Sequence, residues 1–235
     1  SPQTVEDRVR QETSTARLRE HLLAALDEDI FQLQAERANV AGGSQTDEQL
    51  SARLLEVVHT GDSERKARSM AVRMAIVEGA DVEACGAEGG TNVNVWSPLC
   101  IAAGNDDVGV LRTLVEAGAD VNKADTKGWT PLFIAAGKSR VKTVRALVEA
   151  GADVNKVNTG GWTPLHVAVR KDHVGVVRTL VEAGADVNKA NTEGSTPLHK
   201  ASHGCHVEVV RALIEAGADV NKADTYGWTP LLVAV

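Results

Sequence analysis

The chain has 235 residues, 43% of them hydrophobic and only 3% aromatic, with a formal net charge of −7. An acidic chain with no basic run is a poor binder of nucleic acid or anionic membrane, and its apolar runs fall far short of the ~20 residues that cross a bilayer. Cys85, Cys100 and Cys205 are odd in number and widely spaced, so they imply no disulfide framework and point to a reducing, intracellular, cytoplasmic setting.

The charge is unevenly placed. Residues 1–49 hold ten Asp or Glu and five Arg, a net −5 that leaves −2 for the remainder. Within residues 3–40, Val5 and Val9, then Leu18, Leu22, Leu26, Ile30 and Leu33, step by three or four and predict an amphipathic helix or a broken pair. Ala41 to Gln45 is a Gly-rich linker, and Thr46 to Gln49 has the Thr-x-x-Gln form of a capping box that opens the next helix. The first residue is Ser1 and not Met, which fits a processed product; a removed targeting presequence would put the chain inside an organelle.

From residue 91 onward the chain repeats itself. Trp96, Trp129, Trp162 and Trp228 are all the tryptophans, and they lie on one ladder of 33-residue steps with Ser195 on the remaining rung. A Pro-Leu follows two residues later each time, at Pro98, Pro131, Pro164, Pro197 and Pro230, and a Gly-Ala-Asp-Val-Asn string recurs at Gly118, Gly151, Gly184 and Gly217. A fixed period of this size means a stacked solenoid, in which no unit has a core of its own. Each unit reads as a helix pair. Thr130-Pro131 opens the first helix, the Thr hydroxyl offering a cap and Pro giving up only an amide that had no partner. Ile134, Ala135 and Ala136 allow close helix contact, while Val141, Val144, Leu147 and Val148 form one face of a second helix. Gly151 supplies a left-handed terminus.

At these residues the chain resembles the ankyrin-repeat family, whose signature is Thr-Pro-Leu-His-x-Ala on a 33-residue period. His166 and His199 match its first His, and His173 and His206 match the Gly-His pair that opens its second helix. Phe133 and Cys100 replace that first His, Ser139-Arg140 replace the Gly-His, and Ser202 replaces an Ala. The resemblance implies an all-α solenoid of stacked helix-turn-helix units with β-turn fingers. Full repeats fall at about 91–124, 125–157, 158–190 and 191–223, with a partial fifth at 224–235. Residues 50–90 form a degenerate first, capping repeat with two insertions of six residues, one near Ser63 to Arg68 and one within Glu83–Val95. The second insertion predicts a longer finger, which serves binding or is simply tolerated. Residues 1–49 then cover this first unit or dock another subunit. Leu231, Leu232, Val233 and Val235 have no second helix to cover them, which predicts a longer parent chain or a neighbour at that end.

No catalytic constellation survives the repeat, and no cofactor or metal is implied. His199, His203, Cys205 and His206 lie within eight residues, but His199 and His206 are this repeat's copies of recurring residues, which leaves only His203 unaccounted for. In proteins of the resembled family, partners lie against finger tips and first helices, which form a concave groove. The matching candidate partner-binding residues are Trp96, Thr126, Lys127, Trp129, Lys138, Trp162, Arg170, Lys171, Glu193, His203, Tyr226 and Trp228. A row of aromatics beside Lys and Arg suits a protein partner, in the form of an acidic or amphipathic segment. The competing role for the tryptophans is packing between fingers, and Ser195 favours the groove because the stack survives there without a ring. The function expected is a non-enzymatic protein–protein interaction module. The alternatives are an assembly subunit buried at both ends, and the regulatory region of a longer enzyme.

Overall fold

The computed structural model describes residues 72, 75, 76, 79–84, 86–87 and 95–234. The helical extension and linker assigned to residues 1–49, and most of the degenerate repeat assigned to 50–90, lie outside them. The described part is a stack of helix pairs: α1 (Pro98–Asn105) and α2 (Val108–Glu116), α3 (Pro131–Gly137) and α4 (Val141–Glu149), α5 (Pro164–Arg170) and α6 (Val174–Glu182), and α7 (Pro197–His203) and α8 (Val207–Glu215). A last short helix, α9 (Pro230–Val233), opens the next unit. First helices pack on first helices, α1 on α3, α3 on α5, α5 on α7 and α7 on α9, and second helices do the same from α2 to α8. The result is the expected all-α solenoid with one addition. Gly86–Ala87 (β1) pairs antiparallel with Val95–Trp96 (β2), Gly86 opposite Trp96, and so joins the two ends of the inserted stretch.

The sequence dictates this stacking through small residues. Leu99, Leu132, Leu165 and Leu198 are buried in the first helices, with Ala102–Ala103, Ala135–Ala136, Ala168 and Ala201 beside them. Leu114, Leu147, Leu180 and Leu213 seal the second layer. Each second helix ends where a glycine turns left-handed, at φ 93° for Gly118, 88° for Gly151, 85° for Gly184 and 87° for Gly217.

The joints between repeats are polar and periodic. Asn122 donates its side-chain N–H to the Gly151 carbonyl at 3.3 Å and accepts from the Asp153 amide at 2.8 Å. Asn155 holds Gly184 and Asp186, and Asn188 holds Gly217 and Asp219, in the same way. Glu83 stands one step earlier, accepting from the Asp120 amide at 2.6 Å and pairing with Lys123 at 2.7 Å.

Not every cap meets expectation. The Thr130 hydroxyl, like that of Thr229, makes no cap hydrogen bond, and although buried it has no partner among the described residues. In the next repeat the Thr163 hydroxyl lies 2.8 Å from His166 Nδ1, and the Thr163 amide donates to the same nitrogen. Thr196 and His199 repeat that geometry. Phe133 offers no such acceptor, so the substitution orphans the hydroxyl. A buried hydroxyl without a partner costs about 1–3 kcal/mol. Phe133→His should therefore raise stability by about 1 kcal/mol once the smaller apolar burial is set against it, read as a higher urea midpoint at unchanged slope.

Candidate functional site

Each finger is built around one carboxylate or amide. Asp125 Oδ1 accepts from the Lys127 and Trp129 amides at 2.9 and 2.8 Å. Asn158 does the same for Gly160 and Trp162, Asn191 for Glu193 and Ser195, and Asp224 for Tyr226 and Trp228. A side-chain oxygen that imitates a backbone turn explains why only Asp or Asn occupies this position. Successive fingers then join through their backbones: the Thr159 amide donates to Lys127 O, Thr192 to Gly160 O and Thr225 to Glu193 O, at 3.1–3.2 Å. The two residues before each Gly-Trp are thereby fixed in position along the row.

On this frame the candidate residues separate into two sets. Thr126, Lys127, Lys138, Arg170, Lys171, Glu193, His203, Tyr226 and Trp228 are exposed, whereas Trp96, Trp129 and Trp162 are half-buried. The half-buried rings have neighbours in their own repeat and the next. Trp129 meets Phe133 at 5.5 Å between centroids and Trp162 meets His166 at 5.7 Å, both tilted. Lys138 Nζ lies 5.7 Å over the Trp96 ring, and Arg170 Cζ lies 4.9 Å over Trp162. A cation on a partly exposed ring face contributes about 0.5–1 kcal/mol. Lys171 is tied to the frame, its Nζ donating to Gly137 O at 2.9 Å.

Lys200 escaped the sequence reading. Its Nζ sits 5.1 Å over Trp162 and 3.3 Å from Glu193 Oε2. The signal was available in the repeat register, because the same position carries Ile101, Ile134, Val167 and Val233 in the other first helices. A lone cation in an apolar column marks a local change of purpose. Around it opens a cleft of about 300 Å³ lined by Trp162, Arg170, Glu193, Lys200, His203 and Tyr226, with Val233 at its wall.

The histidines divide in the same way. His166 and His199 are buried, and their Nε2 atoms lie 3.2 and 2.9 Å from the carbonyls of Ser195 and Trp228 in the following repeat. His173 and His206 reach back to Gly137 O and Arg170 O. His206 also faces Asp172 at 3.7 Å. His203 is exposed, in the cleft. Among the described residues no group of three or more His, Cys, Asp or Glu is arranged to hold a metal ion. Cys205 and its counterparts Asp106, Ser139 and Asp172 all occupy the left-handed region, at φ 55–61°. The recurring position is thus a backbone turn.

His166 is held well below the ordinary histidine pKa of 6.5, at about 4. Burial is the largest cause, and Lys200 adds to it; the hydrogen bond to the Ser195 carbonyl and the charge of Asp186 oppose it. The neutral ring suits its contacts: Nδ1 accepts from the Thr163 amide and Nε2–H donates to Ser195 O.

No described helix is long and apolar enough to cross a membrane. A search of curated proteins finds no match. A family model described as ankyrin repeats in three copies matches residues 66–158, 99–191 and 184–235. Ankyrin repeats are generally protein–protein interaction modules and are typically non-enzymatic. The helix pairs, the 33-residue register and this match together cover well over half of the sequence, and the chain belongs to the ankyrin-repeat family.

Proposed function

We propose that this chain is a non-catalytic recognition module that holds a segment of another protein against its fingers and first helices, the face that is concave in this family. One observation carries the reading. The frame of each finger is satisfied internally, by Asp or Asn within it and by backbone hydrogen bonds to its neighbour, yet Thr126, Lys127, Lys138, Arg170 and Lys171 remain exposed beside three half-open indoles. Aromatic and Arg side chains in a rigid, partly desolvated row are what protein interfaces select. The cations suit an acidic or amphipathic partner segment. Candidate binding residues are Trp96, Thr126, Lys127, Trp129, Lys138, Trp162, Arg170, Lys171, Glu193, His203, Tyr226 and Trp228.

Site-directed photocrosslinking tests this. A benzoylphenylalanine replacing exposed Thr126 or Thr159 on the fingers should capture a partner in cells, and the same residue replacing exposed Arg178 or Glu182 on α6 should not. Capture confined to α6 would move the binding face to the outer helices and sink the proposal.

A further inference from the structure

The cleft around Trp162 differs in chemistry from the rest of the finger row. Two cations, Arg170 and Lys200, lie over one ring, at 4.9 and 5.1 Å. Lys200 occupies a column that is otherwise aliphatic, and Glu193 occupies a finger position held by Lys127, Gly160 and Tyr226 in the other repeats. These two departures meet each other, Glu193 Oε2 lying 3.3 Å from Lys200 Nζ. Neither group is needed by the stack. The Glu193 side chain is 59% exposed, and among the described residues its carboxylate has one further contact, the Asn191 side-chain amide at 3.5 Å, the long limit for a hydrogen bond. Asp224, the other anion lining the cleft, already has one oxygen committed to the Tyr226 and Trp228 amides. Arg170 meets no carboxylate among the described residues and is exposed.

Resting on the protein-binding reading above, we propose that this cleft receives an acidic side chain of the partner next to an aliphatic one, and that Glu193 holds the acidic position until the partner displaces it. The carboxylate pairs with Lys200 and Arg170, and the aliphatic group lies against Trp162, Tyr226 and Val233. An internal carboxylate on the same cation does in the free protein what the partner's does in the complex. It competes with acidic ligands and offsets one of the two positive charges, which together would attract unselected anions. An exposed ion pair of this length is weak enough to be displaced.

The test uses the full chain and a defined probe, the acetylated and amidated hexapeptide Ala-Glu-Glu-Leu-Glu-Ala, with Gln-for-Glu and Lys-for-Glu versions as controls. Binding is followed by amide and indole NMR shifts. The acidic peptide should give saturable shifts at Trp162, Lys200 and Tyr226, and the controls should not. Glu193→Gln should tighten binding about threefold, the size of an exposed ion pair. Lys200→Val, which installs the residue type found at Val167 and Val233 and so keeps the helix, should weaken it about tenfold. Saturable shifts elsewhere on the finger row, or equal affinity in Glu193→Gln, would overturn the cleft assignment and leave the module reading standing. Equal binding of all three peptides would overturn the acidic specificity. Shifts confined to the outer helices would overturn both.

Discussion

Replacing Gly161 with alanine is expected to destabilise the protein by about 3 kcal/mol, and the same change at Gly151 by only about 1 kcal/mol. Both glycines are left-handed, at φ 72° and 88°, so both variants carry the conformational cost of placing a Cβ there. Their surroundings differ. A Cβ on Gly161 would lie 2.8 Å from the Thr192 amide nitrogen and 3.1 Å from the Asn191 backbone, and these atoms cannot give way without breaking the finger-to-finger hydrogen bond. A Cβ on Gly151 meets nothing within 4 Å. Gly128 and Gly194 share the crowded environment. Urea midpoints of the two variants at unchanged slope measure the difference directly. Equal midpoints would mean that the fingers do not touch in solution.

The second large effect is one of pH. His166 is neutral in the folded chain down to about pH 4, whereas in the unfolded chain it takes up a proton near 6.5. Between these values the unfolded state binds more protons, so stability rises with pH across the window and falls as the solution is acidified. The contribution is complete above pH 6.5 and lost below about 4. The full span corresponds to about 3 kcal/mol. His166→Phe, which reproduces what Phe133 already does one repeat earlier, isolates the effect. At pH 7 it should cost about 1–2 kcal/mol by taking His166 Nδ1 from the Thr163 amide and hydroxyl, while the Ser195 carbonyl keeps the Asn191 amide. At pH 4 that deficit should vanish or reverse. Denaturation midpoints of both proteins at pH 7, 5.5 and 4 check this, and parallel curves would show that another group dominates acid unfolding.

The architecture was legible because its causes are local and repeated. Pro at the first helical position, Gly at the left-handed terminus and a Leu-Ala column each act within one unit, and four or five copies in register identify them. What a single unit cannot show was less legible. The Thr130 cap failed because it depends on a residue three positions away and on that residue's nitrogen, not only on the Thr. The short pairing of Gly86–Ala87 with Val95–Trp96 comes from an insertion with no counterpart elsewhere in the ladder. For the binding face, periodicity found the tryptophans and the finger-tip residues but passed over Lys200, which sits in the column read as packing. Asp125, Asn158, Asn191 and Asp224 recur on the same 33-residue step, and only their hydrogen bonds show them to be the framework of each finger. The surface residues that distinguish one finger from the next are those left over when these constraints are subtracted.

The Asn122, Asn155 and Asn188 joints carry an evolutionary implication. Each grips the following Gly-Ala-Asp segment with the same two hydrogen bonds. Excising residues 158–190 would bring Asn155 to Gly217 and Asp219, the partners that Asn188 now holds. Units can therefore be lost or duplicated by recombination without leaving a mismatched seam. Such an event would cost no joint, yet it would delete Trp162 and with it one rung of recognition. A lineage built this way can vary the length and wording of its surface while its scaffold stays the same.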